Sequence, residues 1–227
     1  MGWNDWVRGV EVEPSLYAAD LARLGEQIGV LLGAGVRIFH FDVGDGHFVE
    51  PITIGPIVLQ SISARIHEAG AIVDCHLMTE TPEKHFEAFA KAGGDSVTVH
   101  YEACPDLRAT AGQARAQGLQ FGVAFKPKTA AAEAARAAAD AGADLVLCMS
   151  IEPGYSGQAF MPEAYERIRT TRSILPDEIH VQVDGGIGTE NIRDVRDAGA
   201  SLFVAGSAIF AAGDPSHAYT QLADEIA

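Results

Sequence analysis

Four side chains in three short apolar runs carry the chemistry of this sequence. His40 and Asp42 lie in Val36–Val43, His76 ends Ala71–His76, and Asp184 follows Ile179–Val183. In an extended strand, residues two apart point to one side, so His40 and Asp42 project together. Each histidine alone reads equally well as a hydrogen-bonded core residue. As a His2Asp2 set the four suit one divalent cation, Zn2+, Fe2+, Mn2+ or Co2+, and the donor types do not choose among these. Two aspartates across such an ion can take a proton from a carbon beside a carbonyl and return one from the opposite face. Met78 and Met149 would line the dry pocket this needs, although a methionine near a strand end is more often core filler. His100, beside Glu102, is a candidate for a place behind the ligands, while His47, His67, His85, His180 and His217 read as surface or loop residues.

These residues must be positioned by strands. Apolar runs at Val10–Leu16, Val36–Val43, Ala71–His76, Ser96–His100, Phe121–Phe125, Asp144–Met149, Ile179–Val183 and Leu202–Ala205 alternate with helical stretches. The first helix carries Leu21, Leu24, Ile28 and Leu31 at helical spacing, and Thr81-Pro82 reads as an N-cap with proline at the first helical position, Phe86 and Phe89 facing inward. Eight strand–helix units without a dividing linker predict a (β/α)8 barrel, one domain over residues 1–227. A doubly wound open sheet is the alternative if the first or fifth strand is absent. In such a barrel the strand C-termini (Ser15, His40 with Asp42, His76, His100, Lys126, Met149, Asp184 and Gly206-Ser207) meet on one face, where active sites are built.

Three glycine turns follow the last three strands: Gly154-Tyr155-Ser156-Gly157, Gly185-Gly186 and Gly206-Ser207. Barrels often hold a phosphate there on backbone N–H groups. A net charge of −15 argues against nucleic acid and against an anionic membrane surface, so a phosphate would have to be drawn by local dipoles. Three cysteines without CxxC spacing (Cys75, Cys104, Cys148) point away from a disulfide framework and towards a reducing cytoplasm. No run approaches the ~18 apolar residues of a membrane span, the N-terminus lacks the apolar centre of a signal peptide, and Trp6 stands where a myristoylation signal needs Ser or Thr.

Taken in order, several segments resemble the ribulose-phosphate 3-epimerase family along nearly the whole chain. They are Glu13-Pro14-Ser15-Leu16 with Ala19-Asp20, His40 to Val49, Asp74-Cys75-His76-Leu77-Met78, Met149-Ser150, Pro153 to Gln158, Val183 to Ile187, and Ala205 to Phe210. The resemblance implies a (β/α)8 barrel that interconverts D-ribulose 5-phosphate and D-xylulose 5-phosphate through a cis-enediolate. It implies one divalent metal on His40, Asp42, His76 and Asp184, with Asp42 and Asp184 as the acid/base pair. Ser15, His40 and His76 would touch substrate, Met78 and Met149 would cap it, and the glycine turns would hold its phosphate. It further implies a homo-oligomer, dimer or hexamer. The chain departs from the family pattern at Gly44, where a methionine of the pocket cap is usual, at Glu50-Pro51, at Glu152 and at Lys126. A pocket widened at Gly44 would admit a six-carbon ketose phosphate such as allulose 6-phosphate. Lys126 is the one strand-end lysine for a decarboxylase or lyase reading. A non-catalytic phosphosugar-binding barrel is the remaining alternative.

Overall fold

The computed structural model describes residues 2–227; Met1, part of the N-terminal reading above, lies outside them. Eight strands, β1 (Glu11–Pro14), β2 (Ile38–Gly44), β3 (Ile72–Met78), β4 (Ser96–His100), β5 (Gln120–Phe125), β6 (Leu145–Met149), β7 (His180–Asp184) and β8 (Leu202–Ala205), pair in parallel. Their order is β1-β8-β7-β6-β5-β4-β3-β2, and a parallel bridge from Ser15 to His40 brings the two edges together. Both weaker strands are present, so the sheet is a (β/α)8 barrel and the open-sheet alternative is excluded.

The helices are α1 (Trp3–Trp6), α2 (Leu24–Gly33), α3 (Pro56–Glu68), α4 (Phe86–Ala92), α5 (Leu107–Ala116), α6 (Ala131–Asp140), α7 (Ala164–Ile174), α8 (Ile192–Asp197), α9 (Ser207–Phe210) and α10 (Pro215–Ile226). Among the described residues none is long and apolar enough to cross a membrane. Two helix starts differ from expectation. Thr81 makes no side-chain cap, and Pro82–Lys84 form a 3-10 turn, so α4 begins at Phe86. Leu21 lies in a separate 3-10 turn capped by Asp20, whose carboxylate accepts from the Ala22 N–H, and it is 53% exposed rather than facing the core with Leu24, Ile28 and Leu31.

Alternation along the strands divides the core. Phe39, Phe41, Phe121, Phe125 and Phe203 point outward from the barrel into the layer shared with the helices, where Phe86 and Phe89 meet them. The residues between them point inward. Ile38, Ala124, Leu145, Leu147 and Leu202 form an apolar plug, closed at the N-terminal mouth by Trp3. Higher up, the interior turns polar: Glu13, His40, Asp74, Ser96, Thr98 and Gln182 are each 0% exposed. His180, expected at the surface, is half-buried beneath Trp3, with its ring nitrogens 3.2 Å from Ser201 Oγ and 3.2 Å from Asn4 Oδ1.

Trp3 is 2% exposed and belongs to the inner cluster, although its helix has only four residues. Trp3→Ala is therefore expected to cost about 3–5 kcal/mol, the range of buried aromatic truncations. Denaturant unfolding checks this, and a loss below about 1 kcal/mol would show that α1 does not seal the barrel.

Candidate active site and metal centre

The register of β2 and β3 sets the site. Asp42 is the ladder partner of His76, and His40 that of Asp74, so each pair presents its side chains on one face. His76 Nδ1 lies 2.9 Å from Asp42 Oδ1 and 3.9 Å from Asp184 Oδ2. The Ser15 hydroxyl donates to Asp42 Oδ2 at 2.5 Å. One ligand atom from each of His40, Asp42, His76 and Asp184 lies within 4.8 Å of the others. Three separate strands thus deliver four donors to one point.

The donor accounting tests whether a cation fits there. His40 Nδ1 faces Asp74 Oδ2 at 3.1 Å, with Glu13 Oε2 at 3.6 Å behind it. A carboxylate only accepts, so Nδ1 carries the hydrogen and His40 Nε2 is left to face the cluster. That nitrogen is buried without a hydrogen-bond partner, although Asp42 Oδ1 is 3.2 Å away. A buried nitrogen cannot be left so without cost unless something positive meets it. With two carboxylates and a second imidazole nitrogen around the same point, the residues fit a divalent ion.

Asp74 is held in turn. It accepts from Ser96 Oγ at 2.6 Å and from Gln182 Nε2 at 3.0 Å, and Gln182 Nε2 also donates to Glu13 Oε2 at 2.6 Å. Glu13, Asp74 and Gln182 are functional neighbours that sequence reasoning missed. A signal existed, because each stands two residues before a strand-end candidate (Ser15, His76, Asp184) and must share its inward face.

Electrostatics sets the two central aspartates apart. Burial works against the Asp42 carboxylate, but the His40 and His76 imidazoles beside it outweigh this and hold it well below the usual range. Burial, then the charge of Asp42, pushes Asp184 up to about 8. Burial likewise raises Glu13 to about 7, whereas Asp74, equally buried, is held down by His40, Ser96 and Gln182. His40 is raised despite burial by the Asp42 carboxylate, and burial lowers His100 to about 4 against the pull of Glu102.

Above the donors opens a cleft. Of the expected residues, Ser15, Asp42, Met78, Met149, Gly154, Tyr155, Ser156, Gly157, Asp184, Gly185, Gly186, Gly206 and Ser207 line it. His40 and His76 do not; both are 0% exposed, beneath its floor. Tyr17, Ile151, Ile187 and Val204 line it unforeseen. The three glycine turns come together on one wall, with Gly186 at φ +63° and so close to the segment between β6 and α7 that a Cβ would lie 2.5 Å from the Phe160 backbone nitrogen.

Residues 11–210 match the Ribulose-phosphate 3 epimerase family. Ribulose-phosphate 3-epimerase of Bacillus subtilis is 36% identical over 217 residues, covering 94% of this chain and 98% of that protein. The chain belongs to the ribulose-phosphate 3-epimerase family. The Escherichia coli K12 enzyme of the same name is 36% identical over 219 residues, covering 95% of this chain and 96% of its own. Among solved structures, a 3-hexulose-6-phosphate synthase superposes with a TM-score of 0.74 at 22% identity, covering 96% of this chain and all (100%) of that one, which shows the shared barrel.

Three of the departures from the family pattern look different in three dimensions. The gap expected at Gly44 is filled: a Cβ there would meet Pro51 O at 2.7 Å and Val49 Cγ2 at 2.9 Å, because residues 45–55 fold down onto it. Lys126 does not line the cleft; its Nζ sits 3.7 Å from the centre of the Phe48 ring. Glu152 points outward to Lys128, 3.7 Å away.

The raised Asp184 yields a pH test. In metal-free protein the folded state keeps this proton up to about pH 8, while the unfolded chain gives it up near the ordinary carboxylate value. The fold then binds more protons than the unfolded chain across that window, so stability falls as pH rises through it. Asp184→Asn lacks the titration and should gain in Tm relative to wild type, in chelator, as pH rises from about 5 to about 8.5. A Tm difference that stays flat across this range would refute the assignment.

Proposed function

We propose that the protein interconverts D-ribulose 5-phosphate and D-xylulose 5-phosphate by moving the proton on C3. The observation that carries this is the pair of inward carboxylates, Asp42 and Asp184, whose surroundings drive their proton affinities in opposite directions at the floor of one cleft. Two titratable groups pushed apart in this way supply a base and an acid at the same pH. Family membership, with relatives named for this reaction, supports the same reading.

In one direction the ionised Asp42 takes the C3 proton, electrons flow towards the C2 carbonyl, and an enediolate forms. Asp184, protonated, then delivers its proton to the opposite face of C3, inverting the centre. The reverse reaction exchanges the two roles. A divalent ion held by His40, Asp42, His76 and Asp184 would act as a Lewis acid, stabilising the negative charge that develops on the sugar oxygens. Ser15 fixes Asp42 by donating to its second oxygen, which leaves the first oxygen turned towards the imidazoles. Met78 and Met149, 3% and 1% exposed, keep bulk water from the carbanion-like carbon. The glycine turns after β6, β7 and β8, which line the same cleft, would take the phosphate.

A lyase or decarboxylase reading finds no support in the position of Lys126, and the six-carbon reading loses its argument from an empty space at Gly44. Solvent deuterium should enter C3 of ribulose 5-phosphate in the metal-loaded protein. Asp42→Asn and Asp184→Asn should each lower the rate by about 10²- to 10⁴-fold, the usual worth of a positioned acid or base. Lys126→Ala should keep it within a few-fold. Exchange confined to a six-carbon ketose phosphate, or lost with Lys126, would refute the proposal.

A further inference from the structure

Behind His76 stands a second imidazole that does not line the cleft and meets the four clustered donors through His76. His76 Nε2 and His100 Nε2 are 2.9 Å apart, their ring planes within 29° of each other, and both residues are 0% exposed. His100 Nδ1 lies 3.2 Å from Glu102 Oε2. The other oxygen of Glu102 is already committed: Oε1 accepts the Lys126 backbone N–H at 2.8 Å and the Thr129 hydroxyl. Phe48 packs against the His100 ring at 4.7 Å between centroids.

We propose that Glu102, acting through His100, decides which ring nitrogen of His76 carries the hydrogen, and that this setting leaves His76 Nδ1 free to bind the metal. The inference rests on the metal site proposed above. The donor accounting runs in one direction. A carboxylate accepts only, so Nδ1 of His100 must donate to Glu102. A neutral His100 then has a lone pair on Nε2, and only His76 can supply the hydrogen between the two nitrogens. His76 Nε2–H therefore donates to His100 Nε2, and Nδ1, which faces Asp42 Oδ1 at 2.9 Å in the metal-free site, is the nitrogen left for a cation to take in place of that contact. Both residues are closed to bulk solvent, which therefore offers no alternative partner. His100 and Glu102 are positioning residues: they act on the metal through His76 and do not touch the substrate.

The polarity of the chain makes an unusual prediction. In Glu102→Gln the amide oxygen must stay with the Lys126 N–H, which turns the NH2 towards His100 Nδ1. His100 is then forced to carry its hydrogen on Nε2, His76 must accept there, and its own hydrogen moves to Nδ1, blocking the ligand position. Glu102→Ala merely releases His100, which can still adopt the productive arrangement. The closer isostere should thus be the worse one. By calorimetry, wild-type protein should bind one Zn2+ or Mn2+ per chain. Glu102→Gln should weaken that binding by about tenfold or more and Glu102→Ala by less, in the range seen for groups behind metal ligands. His100→Gln keeps the polarity, with its oxygen accepting from His76 and its NH2 donating to Glu102, and should restore what His100→Leu loses.

Side-chain 1H–15N spectra of the chelated proteins give a readout independent of metal and activity. His100 should carry its hydrogen on Nδ1 in wild type and on Nε2 in Glu102→Gln, with circular dichroism unchanged. Equal or stronger metal binding by Glu102→Gln than by Glu102→Ala, or the same His100 tautomer in wild type and Glu102→Gln, overturns the relay while leaving the metal site standing. Wild-type protein that takes up no divalent cation overturns the site itself, and the relay's purpose with it.

Discussion

Four carboxylates (Glu13, Asp42, Asp74 and Asp184) crowd two imidazoles at the inner end of a barrel from which water is largely excluded. Burying that much negative charge is unfavourable unless each oxygen meets a donor or a cation. The arrangement answers this in two layers. Asp74 is satisfied from below and beside by Ser96, Gln182 and His40, and that is why polar residues replace aliphatic ones halfway up the barrel. Asp42 is satisfied only in part, by Ser15 and by the 2.9 Å contact with His76 Nδ1, while Asp184 Oδ2 stands 3.9 Å from that nitrogen, and the point between them is where the proposed cation would sit. The site is an incomplete network by construction, and the deeper network holds its imidazoles in place while it stays incomplete.

That arrangement also lets one barrel end carry opposite charge preferences a few ångströms apart. The acidic chemistry sits at the floor, above His40 and His76, while the wall formed by the turns after β6, β7 and β8 presents glycine backbone rather than carboxylates. A strongly acidic protein can accommodate an anionic ligand end only if its local dipoles act over distances shorter than about 8–10 Å, where salt screens the distant charges. The proposed phosphate site, on glycine turns in consecutive strand–helix units, would do this with no lysine or arginine among the described residues lining the cleft.

The architecture was largely legible in the sequence because a parallel barrel repeats one simple signal, an apolar run followed by a helical period, and the strand limits agree within a few residues. Helix starts were less legible. Thr81-Pro82 has the residue types of a cap, yet the chain spends one 3-10 turn before committing to α4, and Leu21 has the spacing but not the position of a core residue. At the site, His40, Asp42, His76 and Asp184 were readable as donors because they interrupt apolar strands. Glu13 and Gln182 were not singled out, since an interior polar layer beneath the strand ends makes sense only once strand register brings Gln182 within reach of both Glu13 and Asp74.

Register also explains why the departures at the mouth belong together. A glycine at position 44 lets the 45–55 loop descend until the Gly44 N–H donates to Thr53 Oγ1 at 2.7 Å, the Thr53 N–H donates back to the Gly44 carbonyl at 3.2 Å, and Val49 becomes 5% exposed. The apolar volume that a long side chain would supply from the strand is supplied instead by the loop, which also leans on Gly154 through Val49 and Pro51. The same descent brings Phe48 onto the His100 ring, and the Lys126 ammonium sits over Phe48, 3.7 Å from its ring centre. A loop seated this way shields the imidazole chain behind His76 from water. Gly44, Pro51 and Lys126 therefore read as one linked set of changes: the glycine makes room for the loop, the proline shapes its contact with Gly154, and the lysine holds its aromatic tip in place.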